Sequence, residues 1–145
     1  AKGKGAYLIR NIAPCDEPKY EGKQIEAMLE KLPLEGSCHE GFRVALSRSH
    51  QTPETHLRVN ELRAEHPDLE VIEQGSSYKF CLLAEGVVDY YVRTTNTYEW
   101  DTAAGELILS EAGGKTISYP DGKPLAYNKE DLKNPWFEAQ GARCK

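Results

Sequence analysis

Residues 100–105 read Trp-Asp-Thr-Ala-Ala-Gly, and the rest of the chain is organised around this stretch. A bulky residue, Trp100, and a carboxylate, Asp101, are followed by four small residues that let a second backbone or a ligand come close. Leu107 and Ile108 continue with the apolar spacing of a helix. The spacing therefore predicts a helix with Asp101 at or near its N-terminus.

Asp101 has two interpretations at that position. Aspartate is one of the commonest N-cap residues, so its role can be purely structural. The free N–H groups and the positive dipole at a helix N-terminus also favour negative charge, so an anion or a metal-bound phosphate can lie beside the carboxylate. The stretch alone leaves both interpretations open.

The segments on either side of this helix alternate between strand and helix patterns. Strands are predicted at 42–46, 69–72, 87–93 and 115–119, with extended pieces at 125–127 and 136–139. Further helices are predicted at 24–32, from Thr52-Pro53 to about His66, and from the turn at 75–77 to Gly86. This alternation predicts an α/β fold with a mostly parallel or mixed sheet of about five strands and helices on both faces.

Composition and charge exclude several classes of protein. The 145 residues are 39% hydrophobic and 28% charged, which is typical of one globular domain. The net charge of −5 argues against broad nucleic-acid binding. The sequence contains no apolar run of about 18 residues, so it predicts no transmembrane helix. Cys15, Cys38, Cys81 and Cys144 form no C-x-x-C pair, so we expect reduced thiols and a cytoplasmic location, with a peripheral position at the inner membrane face left open.

Several motifs occur in the same order as in the inositol monophosphatase superfamily, so the chain resembles the C-terminal half of its members. This superfamily comprises metal-dependent sugar and nucleotide phosphatases. In that superfamily a Trp-Asp-x-x-Ala-Gly signature, present here at 100–105, supplies a metal-binding aspartate. Within it the chain looks most similar to the 3'(2'),5'-bisphosphate nucleotidases of sulfur assimilation. The segments that carry this similarity are 47–50, 75–80, 84–86, 91–93, 122–128 and 134–137.

The resemblance implies a magnesium-dependent phosphatase that converts adenosine 3',5'-bisphosphate to AMP and phosphate. It implies that Asp101 binds Mg²⁺, takes part in catalysis and contacts the substrate, and that His50, Ser76, Lys79 and Arg93 bind the substrate. His50 and Ser76 can instead be helix caps, and Lys79 and Arg93 can be solvated surface charges. Two other functions remain open, namely hydrolysis of an inositol or sugar phosphate and a non-catalytic role in binding phosphorylated ligands or in assembly.

The resemblance also carries an expectation about domain organisation. It assigns residues 1–10 to the last strand of an N-terminal half and residues 11–145 to the C-terminal α/β phosphatase domain. The family's N-terminal metal motif, Asp-Pro-x-Asp-Gly-Thr, does not occur in this sequence. Because one carboxylate cannot hold two metal ions, we expect the chain to be inactive alone. We also expect it to associate with itself or with a separate N-terminal half.

Overall fold

A computed structural model describes residues 2–12, 20–37 and 39–142 of the chain. The elements in chain order are β1 (Tyr7–Leu8), α1 (Gly22–Ala27), β2 (Glu30–Lys31), β3 (Phe42–Leu46), α2 (Pro53–Glu65), β4 (Leu69–Glu73), α3 (Tyr78–Glu85), β5 (Tyr90–Arg93), α4 (Glu99–Glu111), β6 (Lys115–Ser118) and β7 (Phe137–Gln140).

Five of these strands form one mixed sheet in the order β4-β3-β5-β7-β6. β3 pairs in parallel with β4 and with β5, because α2 and α3 carry the chain back between successive strands. β7 pairs antiparallel with both β5 and β6. The predicted α/β fold with a five-stranded sheet is confirmed, and the sheet is of the mixed kind.

Helices cover both faces of this sheet. On one face, Val59 and Leu62 of α2 pack in a cluster with Val44 of β3. On the other face, α3 and α4 contribute Phe80 and Leu109 to a second cluster. β3 is therefore buried on both sides. Its Ala45, which the predicted alternation placed on the same side as Arg43 and Ser47, also lies in the core.

Gly105, the last residue of the 100–105 stretch, brings α4 into close contact with α3. A Cβ at this position would lie 2.7–2.9 Å from three atoms of Phe80, which is 1% exposed. Such an approach is shorter than van der Waals contact. The glycine is therefore required by the packing of the two helices, and α4 could not lie where it does with a larger residue there.

The helix predicted at 24–32 is wrong in its second half. α1 ends at Ala27, and Glu30–Lys31 forms β2, which pairs antiparallel with β1. The N–H of Leu32 donates to the carbonyl of Ala6 at 2.9 Å, and this non-local pairing places Leu32 in the core at 5% exposure. The pairing takes the backbone groups that a longer helix would have used.

Two strand predictions also need correction. The strand expected at 87–93 begins only at Tyr90, because the N–H groups of residues 87 and 88 close the end of α3 on Leu82. Residues 125–127 form no strand, although Pro124 makes an isolated bridge with Ile117. The remaining predicted strands and helices lie within a few residues of their expected positions.

Residues 3–5 contact the C-terminal end of α4. The carboxylate of Glu111, at the end of α4, accepts hydrogen bonds from the N–H groups of Gly3 at 2.6 Å and Gly5 at 2.8 Å. These bonds hold the pKa of Glu111 below its usual range. The assignment of residues 1–10 to a separate half of a larger fold stays a prediction.

Membrane insertion and thiol pairing were also expected to be absent. No helix in the described part of the chain is both long and apolar enough to cross a bilayer. Cys81 carries a free thiol, whereas Cys15, Cys38 and Cys144 lie outside the described residues.

Candidate functional site

A cleft of about 350 Å³ opens at the carboxyl ends of β3 and β5, where α3 and α4 begin. Ligands in α/β sheets commonly bind at this edge, because loops and helix N-termini converge there. The structure brings together in this cleft all five residues singled out from the sequence, and they come from four separate segments. The five are His50, Ser76, Lys79, Arg93 and Asp101.

Asp101 lies one turn inside the cleft's second helix. α4 begins at Glu99 with Tyr98 as its N-cap, so the interpretation of Asp101 as the N-cap is wrong by three residues. The Asp101 side chain still helps to close the helix end, because its Oδ2 accepts the N–H of Tyr98 at 2.8 Å. The side chain is exposed, and Oδ1 makes no hydrogen bond within the described ranges. One oxygen therefore orients the carboxylate and the other can meet a cation.

Two side chains that the sequence did not single out hold the start of α4 in place. Asn134, which is 4% exposed, donates from Nδ2 to the carbonyl of Tyr98 at 2.8 Å and to Thr102 Oγ1 at 3.0 Å. The carboxylate of Glu99 accepts the ammonium of Lys129 and the N–H groups of residues 128 and 129, which together keep its pKa below the usual range. Asn134 opens one of the motifs behind the resemblance, whereas no sequence signal marked Glu99.

Lys79 forms the buried floor of the cleft and is not a solvated surface charge. Only 1% of the residue is exposed. Its Nζ donates to the carbonyl of Gln74 at 2.9 Å and to that of Ser76 at 2.7 Å, and it lies 4.8 Å from the centre of the Tyr91 ring. Burial, reinforced by the nearby charge of Arg93, lowers the pKa of Lys79 to about 8.

Ser76 lies at the centre of the turn that precedes α3. Its φ of 56° is in the left-handed region, which is uncommon for a residue other than glycine. The N-cap of α3 is Ser77, which makes no side-chain cap bond, and Ser76 Oγ accepts the N–H of Tyr78 at 3.3 Å instead. The interpretation of Ser76 as the N-cap is therefore wrong by one residue, although its side chain accepts an N–H at the start of the helix.

Arg93 and His50 complete the cleft. Arg93 is half-buried, and its Nε is inaccessible to solvent and has no hydrogen-bond partner among the described residues. Buried donors are nearly always paired in folded proteins, so this unpaired donor is an exception. His50 is exposed, and its Nδ1 lies 2.9 Å from Ser49 Oγ. The N-cap of α2 is Thr52, so the interpretation of His50 as a cap is wrong.

The charges around the cleft favour an anion. Lys79 and Arg93 face a single lining carboxylate, Asp101, and the N-termini of α3 and α4 add their positive dipole ends. A cleft lined mainly by one sign of charge attracts ligands of the opposite sign, even on a protein whose net charge is −5.

Known proteins resemble this chain in sequence and in fold. The family model described as the inositol monophosphatase family matches residues 1–140. The 3'(2'),5'-bisphosphate nucleotidase CysQ of Escherichia coli (strain K12) is 41% identical over 95 residues, 65% of this chain. The crystal structure of CysQ from Bacteroides thetaiotaomicron superposes on 98% of the chain with a TM-score of 0.87 and 41% identity.

The chain spans only part of the CysQ proteins that it matches. It covers 37% of the Escherichia coli protein and 52% of the Bacteroides thetaiotaomicron chain. An uncharacterized protein in the pss 5'region of Rhizobium leguminosarum bv. phaseoli is 49% identical over 86 residues, which make up 55% of this chain and 90% of that protein.

Proposed function

The chain belongs to the inositol monophosphatase family, and from this premise we propose that its cleft binds a 3'(2'),5'-bisphosphate nucleotide as part of a phosphatase. The substrate that we propose is adenosine 3',5'-bisphosphate, with AMP and phosphate as products. The similarity to two CysQ nucleotidases at 41% identity supports this choice.

The observation that carries the proposal is the unpaired donor of Arg93. Its Nε is buried, and no N–H of the guanidinium bonds to a described residue, so an anionic oxygen in the cleft would provide an acceptor for the guanidinium. A hydrogen bond between a guanidinium and a phosphate is charge-assisted and about twice as strong as a neutral one. We propose that Arg93, together with His50 and the turn at Ser76, holds the phosphate that is not cleaved, while Lys79 adds its charge from below.

Asp101 fits part of a magnesium site. Mg²⁺ prefers oxygen ligands and is usually held by one or two carboxylates together with substrate phosphates and water. Asp101 offers one free carboxylate oxygen, but the described residues contain no group of three His, Cys, Asp or Glu side chains that could hold a metal. When bound, Mg²⁺ would stabilise negative charge on the reacting phosphate. Asp101 would contribute its free oxygen to such an ion, while its other oxygen is held by the Tyr98 N–H.

We propose that the chain binds its ligand but does not hydrolyse it alone. Phosphoryl transfer depends mainly on positioning and on stabilising charge, and one carboxylate supplies little of the second. We further propose that a complete site needs additional ligands, from a separate N-terminal half or from another chain. The alternative substrates are an inositol or sugar phosphate, and one that carries a single phosphate would use fewer of the cations in the cleft.

Calorimetric titration of the chain tests the proposal. The ligands are adenosine 3',5'-bisphosphate, adenosine 3'-monophosphate and inositol 1-phosphate, each with and without Mg²⁺. We expect Arg93→Met to weaken bisphosphate binding about tenfold to a hundredfold, because a hydrogen bond to a charged group contributes about 1.5–3 kcal/mol. Binding of adenosine 3'-monophosphate, which lacks the phosphate that is not cleaved, should change much less.

The matched control is Arg63→Met, which removes an exposed arginine from α2 at a distance from the cleft. It should bind all three ligands as the unchanged protein does. Equal losses for adenosine 3'-monophosphate and the bisphosphate in Arg93→Met would mean that Arg93 does not hold the phosphate that is not cleaved. Tighter binding of inositol 1-phosphate than of the bisphosphate would replace the nucleotide by the inositol alternative.

A further inference from the structure

We propose that Thr94 is a positioning residue of the cleft, which holds the loop at residues 47–52 to the carboxyl end of β5 and so sets the distance between His50 and Arg93. Thr94 does not line the cleft, so it would act on a ligand only through these neighbours. This role rests on the proposed function, because His50 and Arg93 are the side chains that we expect to hold the phosphate that is not cleaved.

The backbone pairing between β3 and β5 ends before the cleft begins. These parallel strands are paired at residues 44–45 of β3 and 90–91 of β5. His50 and Arg93 both lie beyond the second pair. Among the described residues, no backbone hydrogen bond joins the loop at 47–52 to β5 or to the residues that follow it. Side chains must therefore fix how far this loop lies from the end of β5.

Three threonine hydroxyls join the two segments at this point. Thr94 Oγ1 lies 2.8 Å from Thr52 Oγ1 and 2.5 Å from Thr55 Oγ1. Thr52 is the N-cap of α2 and ends the loop that carries His50, whereas Thr94 directly follows Arg93. Thr55 and Thr94 are each 2% exposed, so water does not compete for the bond between them.

The backbone around this cluster indicates which hydroxyls donate. Thr52 and Thr55 form the capping box of α2, in which each hydroxyl oxygen accepts the N–H of the other residue, at 3.3 and 3.2 Å. Each O–H proton is left to donate, and Thr94 Oγ1 has two lone pairs that can accept them. Thr94 is therefore the shared acceptor of both capping hydroxyls, and one atom fixes the start of α2 to the end of β5.

Gln51 holds the same loop on its other side. Its Nε2 donates to the carbonyl of Ser47 at 3.0 Å and to the carboxylate of Glu73 at 2.9 Å. One of these bonds lies within the loop and the other runs to β4, so neither sets the distance from β5. In the part of the chain that the structure describes, hydrogen bonds across this gap are made by the Thr94 hydroxyl alone.

Calorimetric titration of the full chain with adenosine 3',5'-bisphosphate tests this role. Thr94→Val keeps the shape of the side chain but removes the shared acceptor, so we expect affinity to fall about tenfold, as when one hydrogen bond to a charged group is lost. Thr94→Ser keeps the hydroxyl and should restore most of the affinity. The matched control is Thr95→Val, which should bind normally because Thr95 Oγ1 is buried without a hydrogen-bond partner among the described residues.

A second comparison separates positioning from a general loss of stability. If Thr94 acts through Arg93, the effects of Thr94→Val and Arg93→Met should not add, because residues that act through one another are coupled. Thr94→Val should then weaken binding about tenfold in the unchanged chain but less than about threefold in Arg93→Met. An equal loss in both backgrounds would overturn the proposal, as would an equal loss in Thr95→Val.

Crystal structures of the free variants measure the geometry without a ligand. The distance between the Cα atoms of His50 and Arg93 should increase by about 1 Å in Thr94→Val, a displacement large enough to impair function strongly. It should not change in Thr95→Val. If Thr94→Val fails to fold, Thr55→Val removes one of the two donors and should show a smaller increase. An unchanged distance in the variant that folds would contradict the role of the cluster.

The two proposals can fail separately. If the unchanged chain binds no bisphosphate, the proposed function and the ligand-binding part of this role are both wrong. The Cα distances would then still decide whether Thr94 sets the geometry. If the unchanged chain binds the bisphosphate and Thr94→Val binds it equally well, the proposed function stands and the role of Thr94 is wrong.

Discussion

Replacing Gly105 by alanine should destabilise the protein, although alanine is the better helix former. The added methyl carbon would lie 2.7 Å from Cδ2, 2.8 Å from Cγ and 2.9 Å from Cβ of Phe80. Because one of these atoms is the Cβ, a change of rotamer at Phe80 cannot relieve the clash. The Phe80 ring is also held between Tyr91 and Phe137, at centroid distances of 5.6 and 5.8 Å. Hence α3 and α4 must move apart.

The size of the effect follows from two opposing terms. Overpacking a core typically costs 1–3 kcal/mol, and with Phe80 unable to move we expect the upper end, about 3 kcal/mol. Alanine is favoured over glycine inside a helix by about 1 kcal/mol. The net loss should be about 2 kcal/mol, which corresponds to a fall in Tm of roughly 4–8 °C for a chain of this size.

Urea unfolding followed by circular dichroism, together with a thermal scan, measures this loss. The control is Gly22→Ala at the first residue of α1, where an added Cβ meets nothing within 4 Å. That variant should match the unchanged protein or be slightly more stable. A Gly105→Ala protein as stable as the control would refute the argument that the glycine is required by the contact with Phe80.

Three further outcomes are expected. Arg58→Met should lower the free energy of unfolding in urea by about 3–5 kcal/mol, because it leaves the buried carboxylate of Glu138 without its partner at 2.6 Å. Arg10→Met breaks an exposed ion pair and should lower it by less than about 1 kcal/mol. Equal losses in the two variants would contradict this expectation. Lys79 has a pKa of about 8 in the fold against 10.5 when unperturbed, so the unfolded chain binds more protons than the folded chain between these two pH values. The free energy of unfolding should therefore rise with pH in this range, by at most about 3 kcal/mol. In urea titrations, Lys79→Met should lack this rise. Phosphate release from adenosine 3',5'-bisphosphate by the chain with Mg²⁺ should be undetectable in a colorimetric assay, and turnover at ordinary enzymatic rates would refute the proposal that it is inactive alone.

Much of the fold follows from local signals in the sequence. Thr52-Pro53 predicts the start of α2, since a hydroxyl cap and a proline in the first turn both favour a helix there, and the structure has both. Gly86 ends α3 with a φ of 81°, as a helix-terminating glycine should. These features depend on neighbouring residues alone, so they can be predicted without knowledge of the tertiary structure.

The composition of the candidate site was also predictable, but the roles of its residues were not. All five predicted residues line one cleft, because the motifs follow strands whose carboxyl ends share an edge of the sheet. Nothing local distinguishes a solvated lysine from a buried one. The burial of Lys79 results from the packing of α3 against β5, which brings the Tyr91 ring next to it.

The sequence by itself determined the alternation of strands and helices, the start of α2, the end of α3 and the residues that meet in the cleft. The tertiary structure decided the local conformation at positions where backbone groups had competing hydrogen-bond partners. Residues 30–31 left a helical pattern to pair with β1, and the start of α4 was set at Glu99 by contacts with Asn128, Lys129 and Asn134. The physical reason is that these hydrogen bonds join segments about 20 to 40 residues apart. Their formation depends on the position of the whole sheet, which no local pattern encodes.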